Sequence, residues 1–161
     1  MADLHLVDRI VGFLRDLGLP VHEGEVIAGF LPGIAIRGGG LVVDTARLSH
    51  PGDLLHEAGH LAVMAPAQRL QADGDVSSDG GEEMAAIAWS YAAAESLSLP
   101  LEVLFHEQGY RGQAAWLREH FRESRQGRLG VPLLVYFGMT DSPDQERDTG
   151  FPAMCHWLRP A

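Results

Sequence analysis

Two histidines four residues apart constrain this chain more than any other feature. His56 and His60 lie in the segment His-Glu-Ala-Gly-His, an H-E-x-x-H pattern, and on an α-helix they stack on one face. On a helix, side chains at that spacing lie about 5–6 Å apart at Cβ, close enough for two imidazoles to bind one metal ion. Glu57 lies about 60° round the helix from His60, so its carboxylate points beside such an ion.

The flanking sequence predicts that this helix is buried. Val42 and Val43 indicate a strand ahead of it, and residues 49–53 carry a Ser or His cap, a proline for the first turn and an aspartate near the positive end of the dipole. Apolar residues on most sides of the helix indicate a core position, where imidazoles need partners such as a metal. Gly59 costs about 1 kcal/mol relative to alanine inside a helix, which indicates that another backbone or a ligand passes close to it.

The next helical segment offers a third metal ligand. Hydrolytic zinc sites use three protein ligands and an open position for water. Residues 82–94 form an alanine-rich run that begins with Glu82 and Glu83 and predicts a helix. Acids suit a helix N-terminus, which explains one of them. The remaining glutamate, whether Glu82 or Glu83, begins an apolar face of the helix and would therefore point towards the core. A carboxylate in the core needs a cation. The residues themselves leave both glutamates open.

This order of strand, H-E-x-x-H helix, loop and glutamate helix resembles the zincin metallopeptidases of the glutamate-ligand (gluzincin-like) branch. Among small members it is similar to the ImmA/IrrE-type regulatory peptidases. The resemblance covers residues 41–94, about a third of the chain. Residues 61–66 lack the glycine and third histidine of the metzincins, which excludes that branch. The residues that match the metal ligands are His56, His60 and Glu83, with Glu82 as the alternative to Glu83.

The resemblance also implies a fold and an activity. The fold is α+β, a minimal zincin-like domain with a small sheet on a helical core, and an edge strand to which an extended substrate adds. The implied activity is zinc-dependent hydrolysis of a peptide or protein substrate, with Glu57 as general base on a zinc-bound water. A different class of function is a catalytically silent metal-binding module with a regulatory role. The acidic composition and the lack of a recognisable specificity domain favour that alternative.

Composition excludes other classes of function. At 161 residues the chain predicts a single domain, 1–161, and its formal charge of −10 argues against a nucleic-acid partner. The single cysteine, Cys155, fits a reducing compartment, and no apolar run approaches the roughly 20 residues of a membrane span. We therefore expect a cytoplasmic protein without a membrane partner. The absence of lysine beside twelve arginines suggests a bacterial source.

The rest of the chain gives weaker predictions. We expect a helix over Asp3–Leu17, a glycine turn at residues 37–40, a mobile loop over Ala67–Gly81, and helices over Leu101–Phe105 and Gln113–Ser124. We expect a strand or buried extended segment over Val131–Phe137 and a short docking helix over Phe151–Leu158. Zinc peptidases often stabilise the oxyanion with a His or Tyr, and the candidates by residue type are His106, Tyr110, His120, Tyr136 and His156.

Overall fold

The structure, a computed structural model, describes residues 2–27, 29, 31–74, 76, 80–123, 128–144 and 146–161. Over these ranges the chain has an α+β fold, with seven α-helices and one three-stranded sheet. The strands are β1 (Val21–Glu23), β2 (Ile34–Arg37) and β3 (Gly40–Val43). The helices are α1 (Leu4–Asp16), α2 (Gly52–Ala62), α3 (Pro66–Leu70), α4 (Gly80–Ser96), α5 (Leu101–Leu104), α6 (Ala114–Glu123) and α7 (Val131–Tyr136), with a 3-10 turn at Tyr110–Gly112. None of these helices is long and apolar enough to cross a membrane.

The predicted N-terminal helix is confirmed as α1. The Asp3 side chain accepts hydrogen bonds from the backbone nitrogens of His5 and Leu6, at 3.0 and 3.3 Å, and so satisfies two amide groups of the first turn. One face of α1 is buried in the core, and its buried residues are Val7, Ile10, Val11 and Leu14.

The sheet has the strand order β1-β3-β2, with β1 parallel to β3 and β2 antiparallel to it. The predicted glycine turn joins β2 to β3: Gly38 and Gly39 have φ of +58° and +79°, which a two-residue hairpin of this hand requires. The chain after α3 then lies against this hairpin. The Gly39 amide donates to the Ala72 carbonyl at 2.9 Å and the Gly74 amide to the Ile36 carbonyl at 2.8 Å.

Helices α2 and α4 pack closely because α2 has a glycine, Gly59, at the point of contact. A Cβ at Gly59 would lie 2.7 Å from the carbonyl oxygen of Ala86. The prediction that another backbone passes Gly59 is therefore confirmed. Helix α4 is alanine-rich and buried from Ala85 to Ala94, so it also presents little side-chain bulk to α2. This close approach sets the distance between nearby residues on the two helices: His60 next to Gly59, and His56 and Glu83 about one turn from the contact.

Replacing Gly59 with alanine is expected to destabilise the fold by about 1–3 kcal/mol, the usual cost of overpacking a close contact. The new methyl group would meet backbone rather than a movable side chain. A matched control is Gly12→Ala in α1, where nothing lies within 4 Å of the added Cβ and where alanine should stabilise the helix by up to about 1 kcal/mol. Urea unfolding measures both changes. Equal effects at the two positions would show that Gly59 does not mediate helix packing.

Three predictions for the connecting segments are wrong. The predicted loop Ala67–Gly81 begins with a helix, α3. Pro66 suits the first turn of a helix, and residues 67–70 contain no glycine or proline that would interrupt it. Asp75 and residues 77–79 lie outside the described residues. The segment predicted as a strand, Val131–Phe137, is helix α7. A short apolar run does not distinguish the two, but a proline in its first turn fits a helix. The predicted helix Phe151–Leu158 is a series of turns, with one bridge between Thr140 and Met154.

Candidate metal centre

The H-E-x-x-H segment forms part of α2, and its histidines meet. The Nε2 atoms of His56 and His60 lie 3.2 Å apart. Together with Glu57 they offer one ligand atom each, all within 4.8 Å of one another, so this group could hold a metal ion. His60 is buried and His56 is largely so, with side-chain exposures of 8% and 14%.

The first turn of α4 brings a second carboxylate to the same place. Glu83 places Oε1 at 3.4 Å from His56 Nε2 and Oε2 at 3.0 Å from His60 Nε2. Glu82, the alternative ligand, acts on His60 through its charge. The sequence left both glutamates as possible third ligands, and in the structure Glu83 contacts both histidines.

The separations of the three donors fit a tetrahedral ion. Zinc binds nitrogen and oxygen at about 2.0–2.2 Å, so two ligand atoms of a tetrahedral site lie roughly 3.3–3.5 Å apart. The two Nε2 atoms are 3.2 Å apart, His56 Nε2 is 3.4 Å from Glu83 Oε1, and His60 Nε2 is 3.0 Å from the other carboxylate oxygen, Oε2, all close to that range. Two imidazoles and a carboxylate are also a donor set that zinc prefers. The residues present therefore fit the implied ion.

The pKa values of the cluster's side chains are shifted in different directions. Burial, assisted by the charge of His60, lowers the pKa of His56 to about 4, so its imidazole is neutral near pH 7. Burial also lowers the pKa of His60, but the hydrogen bond and charge of Glu83, with the charges of Glu57 and Glu82, outweigh that effect and raise it overall. The hydrogen bond from His60 lowers the pKa of Glu83, and the charges of the two histidines and Arg111 lower it further.

Zinc binding near pH 6.5 is expected to release a proton from His60. A raised pKa means that the folded, metal-free protein holds this proton above pH 6.5, and the stability that it provides is lost as pH rises through the folded pKa. The ion needs the neutral imidazole, so its affinity should increase over the same pH range. Calorimetry in buffers of different ionisation enthalpy measures the released protons. Heats that do not depend on the buffer would contradict this assignment.

Arginine side chains hold the C-terminal end of α2. Arg69 of α3 donates to the carbonyl oxygens of Leu61 at 2.9 Å and Met64 at 3.0 Å, and Arg159 donates to that of Val63 at 3.3 Å. These cations occupy the negative end of the helix dipole and satisfy carbonyls that have no partner within the helix. The helix that carries both histidines is thus fixed at this end.

Among the candidate oxyanion donors, Tyr110 lies at the cluster. Its ring meets the His56 ring edge-on, with centroids 5.1 Å apart. Burial raises its pKa well above the usual value, and the charges of Asp53, Glu83 and Glu57 raise it further. The Ser90 hydroxyl acts in the opposite direction, but the buried Tyr110 hydroxyl completes no hydrogen bond of standard geometry in the described part of the chain. The raised pKa means that Tyr110 keeps its proton near neutral pH.

Of the other four candidates, two are hydrogen-bonded to other residues and two are exposed. His106 pairs with Asp53, and the His120 Nε2 accepts a hydrogen bond from the Leu129 amide at 2.9 Å. Tyr136 is 82% exposed, and His156 is also exposed. Their residue types made them candidates, but only the fold determines which aromatic side chain lies beside His56.

Sequence reasoning missed two features near the cluster. The buried Asp53–His106 pair joins residues far apart in the chain, and Asp53 had been explained only as an acid at a helix start. Tyr110 and Arg111 have φ of +58° and +52°, a left-handed conformation that costs of the order of 1–3 kcal/mol at each non-glycine residue. The Gly109 and Gly112 that flank them were the available indication of an unusual turn.

Comparison of the chain with protein-family models, curated proteins and solved structures gives no match. The case for a metal site therefore rests on the geometry of the cluster itself.

Proposed function

We propose that this protein is a zinc-dependent peptidase, with His56, His60 and Glu83 as metal ligands and Glu57 as general base. The observation that carries the proposal is the convergence of two imidazole nitrogens and one carboxylate, from two different helices, at 3.0–3.4 Å from one another. Two of these side chains, His56 and His60, are 14% and 8% exposed, and Glu83 reaches them from a half-exposed position.

Each residue has a definite task in this proposal. Zinc, when bound, supplies a Lewis acid that polarises the peptide carbonyl and lowers the pKa of water to about 7. Glu57 accepts the proton of the attacking water and returns it to the leaving amine. Its position on α2, next to His56 but round the helix from His60, directs the carboxylate to the side of the ligand set. Tyr110 donates its hydroxyl hydrogen to the carbonyl oxygen as negative charge develops there.

The substrate in this proposal is a peptide in extended conformation. A peptide adds to a sheet through an edge strand, and β1 and β2 are the edges of this sheet. Strand β2 is the edge that runs antiparallel to its neighbour, and its Ile36 carbonyl already accepts a hydrogen bond from Gly74. We therefore expect a bound peptide to pair with only part of β2.

A metal-binding module without proteolysis is the second candidate. Two surface cavities favour it, because neither is lined by His56, His60 or Glu83. One lies beside β1 and β3 at residues 23–25 and 43–47, and the other lies around Arg128, between Tyr91 and Phe151. A partner bound at either place would leave the metal in a structural role.

Metal titration followed by peptide cleavage separates the two candidates. The purified protein is stripped with a chelator, titrated with zinc, and incubated with a peptide library whose products are identified by mass spectrometry. We expect one zinc ion per chain and cleavage that a chelator abolishes and zinc restores. One bound ion without any cleavage would favour the module, and the absence of zinc binding would refute both candidates.

A further inference from the structure

A second buried polar pair lies one turn from the metal ligands. The Nε2 of His106 and the Oδ1 of Asp53 are 2.7 Å apart, and both side chains are about nine-tenths buried. The His50 ring stacks on the His106 ring with centroids 3.7 Å apart, which covers the pair from one side. The reaction proposed above uses neither residue.

Both members of the pair are connected to the site. Asp53 lies on α2, three residues before His56, so the two side chains are one helical turn apart. His106 begins the turn that leads to Tyr110: its carbonyl accepts the Gly109 amide at 3.1 Å. Its ring also lies against Gly109, where an added Cβ would be 3.0 Å from the ring carbon Cε1. The hydrogen bond thus ties the start of this turn to the metal helix.

The turn needs such an attachment. Tyr110 and Arg111 hold left-handed backbone conformations, and residues in such conformations persist only where the surroundings hold them. Among the described residues the Tyr110 hydroxyl completes no hydrogen bond of standard geometry, although Ser90 acts on it, and its ring is held by edge-on contacts with His56 and Phe105, each at 5.1 Å. Arg118 holds the residue before the turn by donating to the Phe105 carbonyl at 2.6 Å.

We propose that Asp53 and His106 are positioning residues, whose hydrogen bond fixes residues 106–112 on α2 and so keeps the Tyr110 ring against the His56 ring. This inference rests on the proposed function, because it gives Tyr110 its role as donor to the substrate carbonyl. It adds that the donor is placed by a pair that touches neither metal nor substrate.

A double-mutant cycle tests whether His106 acts through Tyr110. Tyr110→Phe should lower kcat by about 10²–10³-fold, the usual effect of removing one oxyanion donor. His106→Ala should lower kcat at least about tenfold with little change in KM, since misplacing a group by 1 Å is costly. In the Tyr110→Phe background, His106→Ala should change kcat less than about twofold. Independent, multiplicative losses in the double variant would overturn the proposal.

A spectroscopic measurement tests positioning without activity. With 3-fluorotyrosine incorporated, fluorine NMR of the protein gives three tyrosine signals, assigned by Tyr→Phe variants. His106→Ala should move the Tyr110 signal towards that of the exposed Tyr136, and an unchanged signal would overturn the proposal. Asp53→Ala, which removes the same bond from the other side, gives the same test if His106→Ala does not fold. Asp53→Asn keeps an acceptor oxygen and should restore the signal.

The two measurements separate this inference from the proposed function. His5→Ala, in the exposed first turn of α1, is the matched histidine control and should change neither readout. If no peptide is cleaved by the zinc-loaded wild-type protein, the proposed function fails, and the Tyr110 signal alone decides on positioning. If peptides are cleaved but His106→Ala leaves both kcat and the signal unchanged, the function stands and the positioning role is refuted.

Discussion

Replacing Glu57 with glutamine is expected to leave one zinc ion bound per chain and to lower kcat by about 10²–10⁴-fold, the range of general acid–base catalysis. Glutamine keeps the size and polarity of the side chain but cannot accept a proton at any pH near neutrality. The three proposed ligands, His56, His60 and Glu83, are untouched by the change. Zinc content by elemental analysis and cleavage rates of one library-selected peptide measure the two effects.

The matched control for Glu57→Gln is Glu119→Gln, the same substitution on the exposed surface of α6. It should change neither zinc content nor rate. Unaltered turnover in Glu57→Gln would remove the general-base role. Loss of zinc in this variant would instead make Glu57 a ligand, as its membership of the group within 4.8 Å allows.

Replacing Glu83 with glutamine should weaken zinc binding by more than about 100-fold, since even residues that only orient a ligand contribute 10–100-fold. The carboxylate contacts both imidazole nitrogens and supplies the negative charge of the set. Glu82→Gln, one residue earlier on α4, is the matched control. It removes a charge that acts on His60, so we expect a loss well below that of Glu83→Gln. Competition with a chromophoric chelator measures both affinities.

The comparison of Glu83 with Glu82 decides which helix face carries the ligand. A larger loss of affinity for Glu82→Gln would exchange their roles. Equal, small losses for both variants would mean that α4 contributes no ligand, and that the metal group consists of His56, Glu57 and His60 alone.

The sequence predicted the parts of the site that follow from helical periodicity. The spacing of His56 and His60 predicted that both lie on one face of a helix, and the cost of Gly59 in a helix indicated a close neighbour, which is the backbone of Ala86. The choice between Glu82 and Glu83 did not follow, because either begins an apolar face. It depends on how α4 is rotated against α2, which many core contacts determine together.

Helical periodicity does not predict contacts between residues that are far apart in the chain. Asp53 and His106 are 53 positions apart, so their hydrogen bond depends on how the α5 region packs on α2. Gly52 shows how close that packing is, since a Cβ there would lie 2.1 Å from the Val103 carbonyl oxygen. Helix α7 was predicted as a strand or extended segment for a different reason. The predicted segment, residues 131–137, is a short apolar run, and such a run suits a strand and a helix equally.

Anomalous diffraction from crystals grown with zinc tests the central claim most directly. Data on both sides of the zinc absorption edge locate the ion without reference to the protein atoms. We predict one site per chain, with the Nε2 atoms of His56 and His60 at about 2.0–2.1 Å and a Glu83 oxygen at about 2.0–2.2 Å. A zinc ion held by other residues, or zinc-soaked crystals without an anomalous peak between α2 and α4, would contradict the account.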